Sequence, residues 1–278
     1  MKIPRDLQSH LNTAIAAAQA GAVILQGYDA NRSELVIDTK MLNDLVSQAD
    51  REAEQAVIQV LQEHTPEFGI VAEESGGTAS QLATWCIDPL DGTTNFLHRI
   101  PQYAVSIALI AHTGTEVNGV ILEKDTPIVG VVYDPCRNEM FSAIHNGGAW
   151  LNGQPIHCSQ AQNLAQSVVA TGFPFRDFSF ADQYMPTLHE AIKKTRGIRR
   201  LGAAALDLAW VACGRFDAYW EMGLAPWDVA AGTLIVREAG GVCEDLRELE
   251  PWPESGYVYA GNPTTAAELL TLIKPHLR

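Results

Sequence analysis

Trp85-Cys86-Ile87-Asp88-Pro89-Leu90-Asp91-Gly92-Thr93-Thr94-Asn95 leads from an apolar strand into two carboxylates three residues apart, then into a Gly-Thr-Thr turn. The backbone amides and hydroxyls of such a turn are free to meet an anion, so the layout suits a divalent cation facing a phosphate. Asp, Pro and Gly are also the commonest turn formers, and taken alone the segment reads first as an ordinary turn. Three other places in the chain bear on the choice.

Upstream, Ile70-Val71-Ala72-Glu73-Glu74-Ser75-Gly76-Gly77 reads as a strand that delivers two adjacent acids into a Gly-rich turn. Adjacent carboxylates repel, which favours a nearby cation or basic partner, although a solvated loop has the same composition. Downstream, Glu221-Met222-Gly223-Leu224-Ala225-Pro226-Trp227-Asp228 prepares a helix whose first turn contains Asp228. A carboxylate there caps the helix and can offer its second oxygen to a metal. The third place, Arg200-Leu201-Gly202-Ala203-Ala204-Ala205, opens another helix with small residues. Bare amides open to a ligand and close helix packing explain it equally well.

Composition limits the alternatives. With 278 residues, 47% hydrophobic and 19% charged, the chain can bury a sizeable core. A formal charge of −14 disfavours a general nucleic-acid binder, which needs clustered Lys and Arg. The one dense basic run is Lys193-Lys194-Thr195-Arg196-Gly197-Ile198-Arg199-Arg200, which reads as a solvated helix end. Five scattered cysteines without C-x-x-C spacing argue against a disulfide framework or zinc knuckle. The N-terminal segment lacks the apolar core of a signal peptide, and no run is long enough to span a bilayer. A soluble cytoplasmic protein is expected.

Apolar periodicity predicts helices from Leu7 to near Gly27 and over residues 48–63, then strands at 69–72 and 84–88. Between Tyr103 and Ile144, Val/Ile/Ala runs separated by turns predict an antiparallel meander. Strands at 167–171, 216–221 and 257–260 then alternate with helices at 180–194, 202–213, 227–239 and 263–277. The first half (1–155) reads as α+β and the second (156–278) as α/β, packed as one body.

The order Glu-Glu-Ser, Asp-Pro-x-Asp-Gly-Thr-Thr-Asn, Gly-x-Ala at a helix start, Trp-Asp and Glu-Ala-Gly-Gly closely resembles the inositol monophosphatase family, within the lithium-sensitive, magnesium-dependent phosphatases. Residues 44–50, Tyr133-Asp134-Pro135, Gly147-Gly148-Ala149 and Gly172-Phe173-Pro174 extend the likeness along nearly the whole chain. The Arg-Arg-x-Gly-x-Ala-Ala-Leu-Asp-Leu-Ala run and Ala225-Pro226-Trp227-Asp228 are similar to its bacterial branch.

That resemblance implies a layered αβαβα sandwich and Mg2+-dependent hydrolysis of a small polyol or sugar phosphate monoester, myo-inositol monophosphate first among them. It implies that Glu73, Asp88 and the Leu90 carbonyl hold one Mg2+, and that Asp88, Asp91 and Asp228 hold a second. Glu73 would also face a third through water. Asp50 and Thr93 would orient and help deprotonate the attacking water, with Glu74 close by. The Gly92 and Thr93 amides would cradle phosphate. Ala204 and Glu221 would contact the ring hydroxyls, with Asp91 and Asp228 also on the substrate side. A homodimer is implied, and the basic run could line its interface.

Some positions depart from the family pattern. Met41-Leu42 stands where a small residue and Pro are usual, in a loop near Lys40, and Ala203 replaces a frequent Ser or Thr. Fructose-1,6-bisphosphate, histidinol phosphate and adenosine 3′,5′-bisphosphate are rival substrates. A separate class of reading is a non-enzymatic contact with RNA or a transcription complex through the basic run.

Overall fold

The longest Val-, Ile- and Ala-rich runs become central strands of two sheets in the computed structural model, which describes residues 1–4, 6–31, 36–41, 44–174 and 178–277. Leu42 and the side chains of residues 37–46 lie outside that description, so the readings placed on Lys40, Met41-Leu42 and Asp44 go no further.

Helix α1 (Leu7–Ala30) starts at Asp6, whose carboxylate accepts the Ser9 amide at 2.7 Å. Such a cap satisfies one of the amides that the first turn of a helix leaves without an intrahelical partner. Strands β1 (Ile37–Met41) and β2 (Asp44–Ser47) form a hairpin leading into α2 (Gln48–His64). Then come β3 (Gly69–Ala72), β4 (Gly76–Thr78), β5 (Ala83–Asp91), the short helix α3 (Thr93–Leu97) and β6 (Ala104–Ala111). A small hairpin of β7 (Glu116–Val117) and β8 (Val120–Ile121) interrupts the meander. It resumes as β9 (Thr126–Asp134), β10 (Glu139–Ile144), β11 (Gly148–Leu151) and β12 (Gln154–Pro155). These build a sheet in the order β12-β11-β10-β9-β6-β5-β3-β4.

The remainder supplies β13 (Val168–Thr171), α4 (Ala181–Lys194), β14 (Gly197–Arg199), α5 (Ala204–Ala212) and β15 (Ala218–Glu221). It ends with α6 (Pro226–Glu238), β16 (Val242–Asp245), β17 (Val258–Gly261) and α7 (Pro263–Ile273). The second sheet has the order β14-β13-β15-β17-β16. Its first three strands are parallel, and β17 runs antiparallel to both β15 and β16.

Helices α1 and α2 cover one face of the larger sheet, α5 and α6 fill the space between the sheets, and α4 and α7 cover the far face of the smaller one. The five-layer αβαβα sandwich expected from the sequence is therefore present. Three apolar clusters occupy the spaces between layers: Leu25, Val57, Trp85 and Ile107 in the first, Leu208, Ala230 and Ile235 in the second, Tyr184, Trp220 and Leu269 in the third. Small residues make the middle layer possible. A Cβ on Gly130 of β9 would lie 2.9 Å from the Ala231 carbonyl oxygen of α6, so only glycine lets that helix approach the sheet.

Three readings change. Strand β5 does not stop at Asp88 but continues to Asp91. Helix α5 begins at Ala204, because Gly202 takes φ +81° and turns the chain beforehand. The basic run is not a single helix end: Lys193 and Lys194 close α4, residues 197–199 form the edge strand β14, and Arg200 enters the cleft described below. Among the described residues, no helix is long and apolar enough to cross a membrane.

Candidate active site

Side chains on a strand alternate between faces, so Asp88 and Asp91 in a regular strand would point to opposite sides of the sheet. Between them β5 holds one extra residue. Asp88 pairs with Ser106 of β6 and Asp91 with Ala104, so three steps on β5 face two on β6. This is a β-bulge at Pro89-Leu90, where proline's missing N–H breaks the ladder without loss. Its effect on phase shows in the packing. Trp85, Ile87 and Leu90 lie in the cluster under α1 and α2, while Cys86 faces the α5/α6 layer. The bulge therefore brings Asp91 to the face of Asp88. The two acids are thus joined by a bulged strand, with both carboxylates on the same face. The Leu90 amide donates to Asp88 Oδ1 at 2.9 Å and braces the bend.

Strands β3 and β5 run parallel with Ala72 opposite Ile87, so both deliver their C-terminal ends to one edge. The Glu73 amide continues the ladder to the Ile87 carbonyl at 3.1 Å, placing Glu73 next to Asp88. Asp228 arrives from the N-terminus of α6, which begins with Pro226. Its Oδ2 accepts the Ala225 amide at 2.7 Å, so the helix-capping role holds, and its carboxylate also converges on the strand acids. Oxygens of Asp88, Asp91 and Asp228 lie within 4.8 Å of one another.

Three buried carboxylates this close cannot all ionise without a counter-charge. Burial raises the Asp88 pKa well above the usual range, and Glu73, Asp91 and Asp228 push it further. Asp91 is raised to about 8 by burial and Asp228, against the lowering effect of the Ala205 amide. Hard oxygen donors and an excess of negative charge fit a divalent cation.

Gly92, with φ +93°, turns the chain from β5 into α3. A Cβ there would lie 2.9 Å from the Gln102 carbonyl oxygen. The Thr93 hydroxyl lies 3.0 Å from Asp50 Oδ1 and 3.1 Å from the Leu90 carbonyl oxygen, two acceptors for its one proton. Asp50 occupies the first turn of α2, where its Oδ2 accepts the Ser47 amide at 2.8 Å and the Ser47 hydroxyl at 2.5 Å. Burial outweighs these bonds and raises the Asp50 pKa.

The opposite wall comes from the second sheet and α5. Glu221 ends β15, and its Oε2 accepts the buried Tyr219 hydroxyl at 2.6 Å. Gly172 lies under that carboxylate: a Cβ on it would fall 1.8 Å from Glu221 Oε1. Helix α5 has no capping side chain of its own, since Ala203 stands at the cap, and Asp91 Oδ2 accepts the Ala205 amide instead at 2.7 Å. Asn95 ties α3 to this segment, donating to the Gln102 and Leu201 carbonyls, each at 2.8 Å. Asp207 is buried behind the wall with Oδ1 lacking a hydrogen-bond partner. Burial, together with Glu221 and Asp91, pushes its pKa well up.

The resulting cleft of about 320 Å³ is lined by Glu73, Asp88, Leu90, Asp91, Gly92, Thr93, Ala204, Glu221 and Asp228, all singled out from sequence. Asp50 stands behind Thr93. Glu74 does not line the cleft; its amide is held from behind by Glu54. Sequence reading missed Arg200, which does line it and stacks 5.7 Å from the Phe173 ring centroid. It also missed Gly172, Tyr219 and Glu54, although Gly172 stood in a motif already noted. A larger hollow of about 640 Å³ beside α4 and α7 brings no comparable group of acids together among the described residues.

Comparison with known proteins gives a consistent result. The model of the inositol monophosphatase family matches residues 6–277. The putative Nus factor SuhB of Neisseria meningitidis serogroup B is 43% identical over 269 residues, covering 96% of this chain and 98% of that protein. The crystal structure of extragenic suppressor protein suhB from Bartonella henselae superposes with a TM-score of 0.86 at 37% identity, covering 95% of this chain and 98% of that one. The structure of an inositol monophosphatase from Anabaena gives 0.78 at 35% identity, covering 97% and 96%.

Proposed function

The chain belongs to the inositol monophosphatase family, and we propose that it hydrolyses the phosphate monoester of a small polyol or sugar in a Mg2+-dependent reaction, with myo-inositol monophosphate the leading substrate. The observation that carries this reading is the convergence of Asp88, Asp91 and Asp228 in a cleft that Gly92 and Thr93, at the start of α3, also line.

In this reading Asp88, Asp91, Asp228, Glu73 and the Leu90 carbonyl hold the cations. Bound Mg2+ supplies neutralisation of the phosphoryl oxygens and a lower barrier to attack by water. The Gly92 and Thr93 amides, at the start of α3, meet phosphate oxygens. Water donates one hydrogen bond to Thr93 Oγ1 while the Thr93 hydroxyl donates to Asp50 Oδ1. Asp50 is then the terminal acceptor for the proton, and its raised pKa makes it a stronger base than an exposed carboxylate. Glu221, fixed by Tyr219, accepts ring hydroxyls beside the small Ala204. Water would attack phosphorus directly, with no phosphoenzyme, as the P–O bond to the ring oxygen breaks and the departing alkoxide takes a proton from a second water.

Phosphate release from myo-inositol monophosphate, fructose-1,6-bisphosphate, histidinol phosphate and adenosine 3′,5′-bisphosphate, with Mg2+ and with chelator, tests the reading. Highest catalytic efficiency on the inositol ester, abolished by Asp88→Asn, supports it; no metal-dependent release from any ester rejects it.

A second reading, contact with a transcription complex, follows from relatives named Nus factor SuhB. The exposed Lys193, Lys194, Arg196 and Arg199 offer its surface. A cellular phenotype that survives Asp88→Asn but not reversal of these charges would separate it from catalysis.

A further inference from the structure

Helix α2 places a second buried carboxylate one turn beyond Asp50. Glu54 is 2% exposed, and its two oxygens divide between consecutive amides: Oε2 accepts Glu74 N–H at 2.8 Å and Oε1 accepts Ser75 N–H at 2.9 Å. Those amides belong to the turn joining β3 to β4, the turn that starts with Glu73. Four residues apart, Asp50 and Glu54 share one helix face. One reaches Thr93 just past the end of β5, and the other grips the Glu73 turn.

We propose that Glu54 is a positioning residue that sets the Glu73 carboxylate at the cation cluster, so that α2 registers both arms of the site from one rigid face. This rests on the proposed Mg2+-dependent reading. The chemistry favours it over simple loop anchoring for two reasons. A carboxylate spanning two successive amides fixes the direction of the turn as well as its position, because each of its oxygens holds a different backbone N–H. The turn so fixed also carries Glu73 half-buried beside Asp88, where repulsion between the two acids would otherwise drive it outward. Residues that orient metal ligands in this manner typically change metal affinity by about 10- to 100-fold when removed.

Glu54→Gln tests the proposal, because an amide retains one acceptor and opposes the other N–H with a donor. The expected result is a Mn2+ dissociation constant, read by electron paramagnetic resonance, raised about 10- to 100-fold. The Mg2+ concentration for half-maximal hydrolysis should rise in parallel, while kcat at saturating Mg2+ falls less than about threefold. Faster hydrogen exchange at the Glu74 and Ser75 amides should accompany both. Unchanged Mn2+ affinity overturns the proposal, as does a fall in kcat that saturating metal does not restore. Should Glu54→Gln fail to fold, Glu54→Asp provides the shorter carboxylate and should give the same changes at smaller amplitude. A wild-type chain that binds Mn2+ yet hydrolyses no ester removes the functional reading while leaving the positioning role measurable. A wild-type chain that binds no divalent cation overturns both.

Discussion

The Ala205 amide donates to Asp91 Oδ2 at 2.7 Å across 114 residues of sequence. One bond thus caps α5, which lacks a capping side chain, and holds one oxygen of an acid in the cluster. The same carboxylate has its pKa raised to about 8 by burial and by Asp228, so it is both anchored and electrostatically strained.

Asp91→Asn keeps an oxygen for Ala205 and removes a buried group that, without metal, ionises only near about pH 8. Phosphomonoester hydrolysis should fall by at least about 100-fold through loss of cation binding. The thermal midpoint of the metal-free protein should match the wild type near about pH 4 and exceed it toward about pH 8, because the variant has no carboxyl to be held protonated above its ordinary range. Steady-state kinetics and calorimetry on one preparation check both signs.

The raised pKa of Asp91 also sets a pH dependence. A carboxylate raised from 3.8 to about 8 on folding stabilises the folded state in acid, and that stability is lost as pH climbs through the folded value. Without divalent cations the thermal midpoint should therefore decline between about pH 4 and about pH 8, apart from other titrating groups. Saturating Mg2+, which replaces the proton as counter-charge, should flatten most of that decline. A midpoint that rises with pH over this window in the metal-free protein contradicts the assignment.

Thr93→Val preserves shape and removes the hydroxyl between Asp50 and the Leu90 carbonyl. The turnover number should drop about 100- to 10,000-fold, as for loss of a proton-transfer group, with Mg2+ affinity little changed. Isothermal titration with Mn2+ beside steady-state kinetics distinguishes this from a lost metal site.

Gly172→Ala drives a methyl group into the Glu221 carboxylate. Displacing Glu221 should raise KM more than it lowers kcat and cost about 1–3 kcal/mol of stability. Adding Glu221→Ala opens the space, so the double variant should regain thermal stability while KM stays high. Simple additivity of the two stability losses would show that the two positions do not clash.

Direct attack by water predicts that quenched turnover yields no phosphorylated chain. A phosphoryl-aspartate detected by intact mass spectrometry would require a different mechanism.

Much of this site was legible in the sequence because its chemistry is local. Asp88, Asp91, Gly92 and Thr93 stand in one short run, Glu73 at the end of the neighbouring strand, and Asp228 in the first turn of a helix that Pro226 starts. Short-range spacing records such arrangements; the alternation of apolar strands and helices indicated an α+β half and an α/β half, and the layered sandwich was implied by the family resemblance. Glu74 shows the limit: adjacent to Glu73 and of the same chemistry, it sits in the turn after β3 with its amide held by Glu54 and does not line the cleft.

The sequence by itself determined which acids are present, in what order and on which kinds of element. Tertiary structure alone decided their phase and distance. The bulge at Pro89-Leu90 is visible only against the register of β6, and it turns Asp91 to the face of Asp88. The Ala205 bond to Asp91, the Gly172 hollow under Glu221 and the grip of Glu54 on the Glu74 and Ser75 amides join residues from different layers or elements. Contacts of that kind depend on how packed layers meet, and no local pattern of residue types encodes them.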